Sequence, residues 1–75
     1  MNQKRKKAID ALADKLRELV EELSSLRDEE QEAFDNMPEG LQQGDRGQAT
    51  EQNASTLTEV VSSLEEVIGN IEGIE

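Results

Sequence analysis

Residues 9–26, IDALADKLRELVEELSSL, place apolar side chains three and four residues apart, which is the repeat of a helix in a coiled coil. Residues 54–71, ASTLTEVVSSLEEVIGNI, repeat the pattern. With heptad positions lettered a to g, the a and d positions are Ile9, Leu12, Leu16, Leu19, Leu23 and Leu26, then Ala54, Leu57, Val61, Leu64, Ile68 and Ile71. The sequence therefore predicts two amphipathic helices and an all-α fold.

Each stretch also has a third apolar position in its heptads. It is position e in the first stretch, with Ala13, Val20 and Phe34, and position g in the second, with Val60, Val67 and Ile74. One neighbouring helix cannot cover a stripe that takes three residues in every seven. We therefore expect the e and g flanks to form a second apolar strip, which a homodimer would cover as a two-fold symmetric four-helix bundle. A trimer, or docking onto another protein's helices, would also cover it.

The predicted oligomer interface combines this strip with the centre of the a and d rows. It consists of Ala13, Leu16, Leu19, Val20, Leu23, Val60, Val61, Leu64, Val67 and Ile74.

The bounds of the helices follow from Pro and Gly. Helix 1 is predicted over about residues 4–36, because no Pro or Gly precedes Pro38 and the residue before Pro avoids the helical conformation. A turn is predicted over residues 37–46 and helix 2 over about residues 47–72. Since a short connector makes long helices antiparallel neighbours, the whole chain is predicted to be one helical-hairpin domain.

The start of helix 2 has two candidate caps. Asp45 followed by Gln48 matches a capping box, although a Gly in the first turn weakens it, and Thr50 is the alternative.

Composition restricts both stability and partners. A chain of 75 residues buries only ~60% of its unfolded surface, so a monomeric core is marginal. Cys and His are absent, which excludes disulfides and the usual zinc ligands and leaves oligomerisation as the means of stabilisation. The net charge of -10 favours basic partners and disfavours nucleic acid. No apolar run approaches the ~18 residues of a membrane span, so we expect no membrane association.

The charges of helix 1 run against its macrodipole. A basic patch, Lys4, Arg5, Lys6 and Lys7, lies at its start, and an acidic patch, Asp28, Glu29, Glu30, Glu32 and Asp35, lies at its end. The basic patch is expected to lie beside the acidic end of helix 2 and set the register, or to contact nucleic acid or another anionic surface. The acidic patch is expected to be solvated, to dock a basic partner, or to bind a cation, although its spacing matches no calcium loop.

The sequence gives no indication of catalysis. It has no His, Cys, Tyr or Trp, so the commonest general bases and nucleophiles are missing. Glu30 is the only acid on the a and d rows, which is too few for a carboxylate metal site within a bundle. We therefore predict a protein that is not an enzyme and holds no metal or cofactor.

The turn is the most distinctive segment. Residues 27–42, RDEEQEAFDNMPEGLQ, followed by Asp45-Arg46-Gly47 and a helix, resemble small helical-hairpin, coil-containing proteins of bacteriophage and prophage genomes, which mostly have no assigned function. The resemblance implies a phage accessory protein. It also singles out a candidate turn site, Phe34, Met37, Pro38, Leu41 and Arg46, although these residues could equally be the packing that folds the turn.

These observations favour an acidic, non-enzymatic interaction protein that forms a homodimer and binds and modulates a basic host or phage protein. Two alternatives are a structural, virion-associated coiled-coil component and a DNA-associated dimer acting through the N-terminal basic patch. The expected location is the cytoplasm, that of the host cell if the protein is phage-encoded, or else the virion.

Overall fold

The protein is an elongated, all-helical hairpin. The computed structural model describes all 75 residues and contains no strand. Helix α1 spans Gln3–Asp35, the short helix α2 spans Glu39–Gln42, and helix α3 spans Asp45–Glu72. Helices α1 and α3 pack side by side and antiparallel, in a molecule that measures 58 Å by 15 Å by 12 Å. The all-α fold class predicted from the heptads is therefore confirmed.

The ends of α1 are set by local hydrogen bonds. The side chain of Asn2 caps the helix, because its Oδ1 accepts a hydrogen bond of 2.8 Å from the backbone N–H of Arg5. The helix ends where Pro38 prevents it from continuing, and the Pro38 carbonyl then accepts the first backbone hydrogen bonds of α2. The observed bounds differ from the predicted residues 4–36 by one residue at each end.

The start of α3 differs from both predicted caps. The cap is Gly44, and no side chain satisfies its first N–H groups; Asp45 already lies in the first turn. Thr50 lies inside the helix, where its hydroxyl donates a 2.9 Å hydrogen bond to the Arg46 carbonyl. The capping-box prediction and its alternative were therefore wrong, because α3 begins earlier than either required.

Gly47 lets the turn pack closely against α3. It is buried, and a Cβ at this position would lie under 3.0 Å from the carbonyl oxygens of Leu41 and Gln42. Only Gly can therefore occupy the position unless α2 moves. This contact fixes α2 against the beginning of α3 and closes the hairpin at its turn end.

The core between α1 and α3 is narrow. The only buried side chains are Ala13, Ala54, Val61 and Ile68, which are 1–5% exposed. On α3 the seam uses the a row, with the d row half-buried beside it, as predicted. On α1 the seam uses rows a and e, not a and d, so Leu12, Leu19 and Leu26 remain 52–55% exposed. Ala13 was predicted to lie in the second apolar strip on the outside of the hairpin. Its small side chain is instead buried between α1 and α3.

Candidate functional site

One long side of the hairpin presents an apolar surface, which we call the open face. It is formed by the d row of α1 and the g row of α3, which are Leu12, Leu19, Leu26, Val60 and Val67; Ile74 follows the end of α3 and is not part of the helical row. Their exposed fractions range from 39% to 55%. Residues in each row recur every seven positions, so the leucine row runs ~21 Å along the middle of α1.

A groove shows that the two rows lie on the same side. It has a volume of about 410 Å³, and its lining includes Leu19 and Leu26 of α1 together with Leu64 of α3. Leu64 is at position d, and position g is its neighbour on the helix surface, so Val60 and Val67 extend the same side. The open face is therefore continuous across the two helices.

The predicted oligomer interface is divided by the structure. Leu19, Val60 and Val67 lie on the open face, and Ile74 is exposed just beyond the end of α3; Leu16, Val20, Leu23 and Leu64 are half-buried along the base of the open face or within the seam. Ala13 and Val61 are buried within the hairpin and are not available to a partner, which corrects the place of Ala13 in the outer strip and of Val61 in the oligomer interface. Leu12 and Leu26 belong to the open face and were missing from the prediction. The contrast in size between Ala13 and the d leucines is the signal that could have identified them, because close helix packing favours the small residue.

The opposite side of the hairpin, which we call the charged edge, is polar. A groove of about 340 Å³ there is lined by Arg17, Glu21, Glu65 and Glu72 among others. Arg17 forms an ion pair with Glu72 across the two helices and a second with Asp14, 3.2 Å away, on its own helix. The interaction with Glu72 is the main cause that raises the pKa of the Arg17 guanidinium. Arg17, Asp14 and Glu72 therefore find partners within the chain, whereas Glu21 and Glu65 form no ion pair.

The acidic patch lies on the last turns of α1 and has few internal partners. Asp28 is 3.2 Å from Arg27, and the Asp35 carboxylate accepts a 3.0 Å hydrogen bond from Gln31. Glu30 is half-buried in the seam and accepts a 3.1 Å hydrogen bond from Asn53 of α3, which links the two helices at this level. The remaining members, Glu29 and Glu32, form no ion pair or side-chain hydrogen bond. Nowhere in the chain do three carboxylates converge in a way that could hold a metal ion.

The basic patch has little contact with α3. Lys6 forms an ion pair with Asp10 at 3.2 Å, and both residues belong to α1. Lys4, Arg5 and Lys7 are exposed and have no carboxylate within 4.0 Å. At this end of the hairpin the N-terminal amine donates a 2.8 Å hydrogen bond to the carbonyl of Glu75, which follows α3. The four basic side chains therefore do not set the register in the way that was expected.

The candidate turn site contains both packing and exposed residues. Phe34 and Met37 are half-buried, and the side chain of Gln42 donates a 2.9 Å hydrogen bond to the Phe34 carbonyl. Leu41 is 58% exposed, and Arg46 is exposed without an ion pair. The structure of the turn therefore depends on Phe34, Met37 and Pro38. The members that a partner could contact are Leu41 and Arg46.

Comparison with known proteins gives no further identification. No family model, curated protein or solved structure matches the chain. The resemblance of its turn to phage helical hairpins therefore remains a prediction. No helix in the structure combines the length and the apolarity that crossing a bilayer requires.

Proposed function

We propose that this chain is a non-enzymatic interaction protein, which self-associates through its open face and binds a basic partner protein through its carboxylates. The observation that carries the proposal is the open face itself. Soluble monomers rarely expose a contiguous apolar surface of this length, and such surfaces mark sites of association. Five apolar side chains that are each at least 39% exposed on one side of the hairpin therefore support assembly as the first step of function.

Charge supports the second half of the proposal. Eighteen acidic residues stand against eight basic ones, so the long-range field attracts basic proteins and repels nucleic acid. Asp28 and Asp35 lie at position f of α1, which faces away from the open face, and Glu39 lies in the turn. A partner could reach these three carboxylates while the open face is covered. The resemblance of the turn makes a phage accessory protein, acting on a host or phage protein, the specific form of this proposal.

Capture from a bacterial lysate at low salt tests the binding of a partner. The wild-type chain should retain a basic protein, and the triple variant Asp28→Asn, Asp35→Asn, Glu39→Gln should lose it. A matched variant, Glu59→Gln, Glu65→Gln, Glu66→Gln, removes the same charge from the middle of α3 and should retain it. If wild type captures nothing, or if both variants behave alike, the turn end does not bind a partner.

A DNA-associated dimer is the second candidate, and the three basic side chains without ion pairs favour it. Lys4, Arg5 and Lys7 are free to contact phosphate, and a dimer would present two such clusters. Binding of duplex DNA that weakens with salt and is lost in Lys4→Glu, Lys7→Glu would support this function. A virion component would use the same open face for assembly, and mass spectrometry of purified particles tests that role.

A further inference from the structure

Helix α1 carries opposite charges at its two ends, and the hairpin leaves many of them without partners. Arg5 lies at position d, on the open face, and Lys4 flanks it at position c. At the other end Glu29 at position g and Glu32 at position c flank the same row. None of these four side chains forms an ion pair within the chain. A partner bound to the open face could form ion pairs at both ends of α1. It would need acidic residues next to Arg5 and basic residues next to Glu29.

The leucines of the open face are arranged symmetrically about Leu19. Leu12 and Leu26 each lie seven residues from it. When a second α1 runs antiparallel across a two-fold axis at Leu19, the residue at position i faces the residue at position 38 − i. Leu12 then meets Leu26 of the second copy, Leu19 meets its own counterpart, and the apolar row matches itself from end to end.

We propose that the open face is covered by a second copy of this chain, with the two α1 helices antiparallel about a two-fold axis at Leu19. The same register places Arg5 over Ala33 of the second copy, with Glu32 one residue and Glu29 one helical turn before it. It also brings Lys15 within about one residue of Glu22, since both are g positions, which oppose each other in antiparallel pairs. The charges that oppose the macrodipole of a single α1 are thereby complementary in the pair.

Helix α3 is compatible with this arrangement. The same two-fold axis places α3 of one copy against α3 of the other. Like charges that face each other between these two helices would destabilise the dimer. The side of α3 next to its g row carries Ala49, Thr56, Ser63 and Asn70, none of them charged, and every acid from Glu51 to Glu72 lies at position e or f. Two copies of α3 can therefore approach without placing carboxylates against carboxylates.

The apolar part of the open face is the centre of a longer contact. From Leu12 to Leu26 it runs ~21 Å along a hairpin 15 Å wide, which is roughly 300 Å² per copy, so its polar and charged flanks have to supply the rest of the ~800 Å² per partner of a standard interface. The hairpin itself buries only four side chains beyond Gly47, so it has much to gain from covering this face.

The charges also distinguish this arrangement from the other two-fold pairing. With the axis along the bundle, α1 would lie next to α3 of the second copy. The acidic end of α1 would then face the start of α3, where Arg46 is the only base. The antiparallel pairing of α1 with α1 is the one that supplies partners at both ends.

Single cysteines test the position of the axis, because the chain has none of its own. Leu19→Cys should oxidise readily to a covalent dimer, because its thiol lies beside the axis. Leu12→Cys, with an equally exposed side chain, should not, because its two copies would be ~21 Å apart along the helix, far beyond disulfide reach. A mixture of Leu12→Cys and Leu26→Cys chains should form the mixed disulfide. Equal cross-linking of Leu12→Cys and Leu19→Cys would overturn the proposed axis.

Charge reversal tests the complementarity. Arg5→Glu should weaken dimerisation roughly tenfold, since each dimer contains the contact twice. Lys7→Glu is the matched control, because it makes the same charge change at position f, away from the open face, and should leave the dissociation constant unchanged. Adding Glu29→Lys and Glu32→Lys to Arg5→Glu should restore dimerisation. Failure of this rescue would overturn the pairing of the two ends of α1.

Sedimentation equilibrium of the wild-type chain provides the first measurement. A chain that stays monomeric at ~100 μM would overturn the proposal, since its open face is then not covered by a second copy. The inference rests on the self-association part of the proposed function, but the lysate experiment uses carboxylates outside the open face. Loss of the dimer with retained partner capture, or the reverse, therefore shows which of the two proposals has failed.

Discussion

The open face and the charged edge are built from the same two helices, yet only one of them is closed by contacts within the chain. At the charged edge Arg17 bridges to Glu72 of α3 and to Asp14 of α1. On the open face three leucines of α1 stand more than half exposed, with no side chain of the hairpin covering them. A single pair of helices can bury only part of each apolar stripe, and this hairpin leaves the same side uncovered on both helices.

This difference explains where the charges lie on α3. Its acids occupy positions e and f, on and beside the charged edge, whereas the side toward the open face contains no acid, and Arg46 at the start of the helix is its only charged residue. A helix that needed only solubility could carry acids on either side of its apolar stripe. Their restriction to one side is what a helix that contacts a partner on the other side requires.

The largest effect is expected when a charge is placed between the two sides, in the seam. Val61 is 4% exposed, and Val61→Glu would bury a carboxylate without a partner at a cost of several kcal/mol. The total stability of a chain this size is only roughly 4–11 kcal/mol, so circular dichroism should show loss of helicity at every concentration. Thr56→Glu adds the same charge at an exposed site on α3 and should remain helical. A folded Val61→Glu protein would mean that the seam is placed incorrectly.

The next effect is specific to the open face. Leu19 is 52% exposed in the hairpin, so Leu19→Glu should leave the hairpin helical and abolish the dimer, with a rise of more than a hundredfold in the dissociation constant. Ser62→Glu adds the same charge at an exposed site at position b of α3, on the side of the charged edge, and should change self-association only slightly. The measurement is light scattering over a range of concentrations. If Leu19→Glu and Ser62→Glu dimerise equally, the leucine row is not an interface.

Effects of intermediate size on the stability of the fold are expected at Gly47 and Gly69, whose surroundings differ strongly. At Gly47 a Cβ would meet the backbone carbonyl oxygens of α2, so Gly47→Ala should displace the turn and destabilise the fold by about 1–3 kcal/mol. The midpoint of urea unfolding measures this change. An unchanged midpoint would show that α2 moves freely and does not hold the turn end together.

Gly69 borders the groove of the charged edge, and a Cβ there would meet nothing within 4 Å. Gly69→Ala should therefore stabilise the fold by about 1 kcal/mol, which is the difference in helix propensity, without changing dimerisation. Raised stability with an unchanged dissociation constant would support a charged edge that faces solvent. Loss of the dimer in Gly69→Ala would mean that the second copy binds at the charged edge and not at the open face.

The sequence alone predicted the architecture well because periodicity determines which residues can share a face. It gave the two helices, their antiparallel arrangement and the a and d seam of α3. It did not give the rotation of α1, because rows d and e flank row a on either side and both are apolar. That choice depends on which row lets the backbones approach, as Ala13 does, and on which rotation brings Arg17 to Glu72, and both of these are properties of the assembled pair. The cap of α3 at Gly44 could not be predicted either, because a glycine has no side chain that could form a capping hydrogen bond.

The smallest effect is expected at the ion pairs of the charged edge. Arg17→Gln removes the ion pairs with Glu72 and Asp14 but keeps a polar side chain, and all three groups are largely in solvent. Because exposed ion pairs contribute little and are screened by salt, the melting temperature should fall slightly at low salt, and the difference from wild type should shrink as salt is added. The pKa of Arg17 is raised from an already high value, so the group stays charged and the effect should not vary between pH 6 and pH 9. A large, salt-independent loss of stability would mean that this edge, and not only the apolar seam, holds the hairpin together.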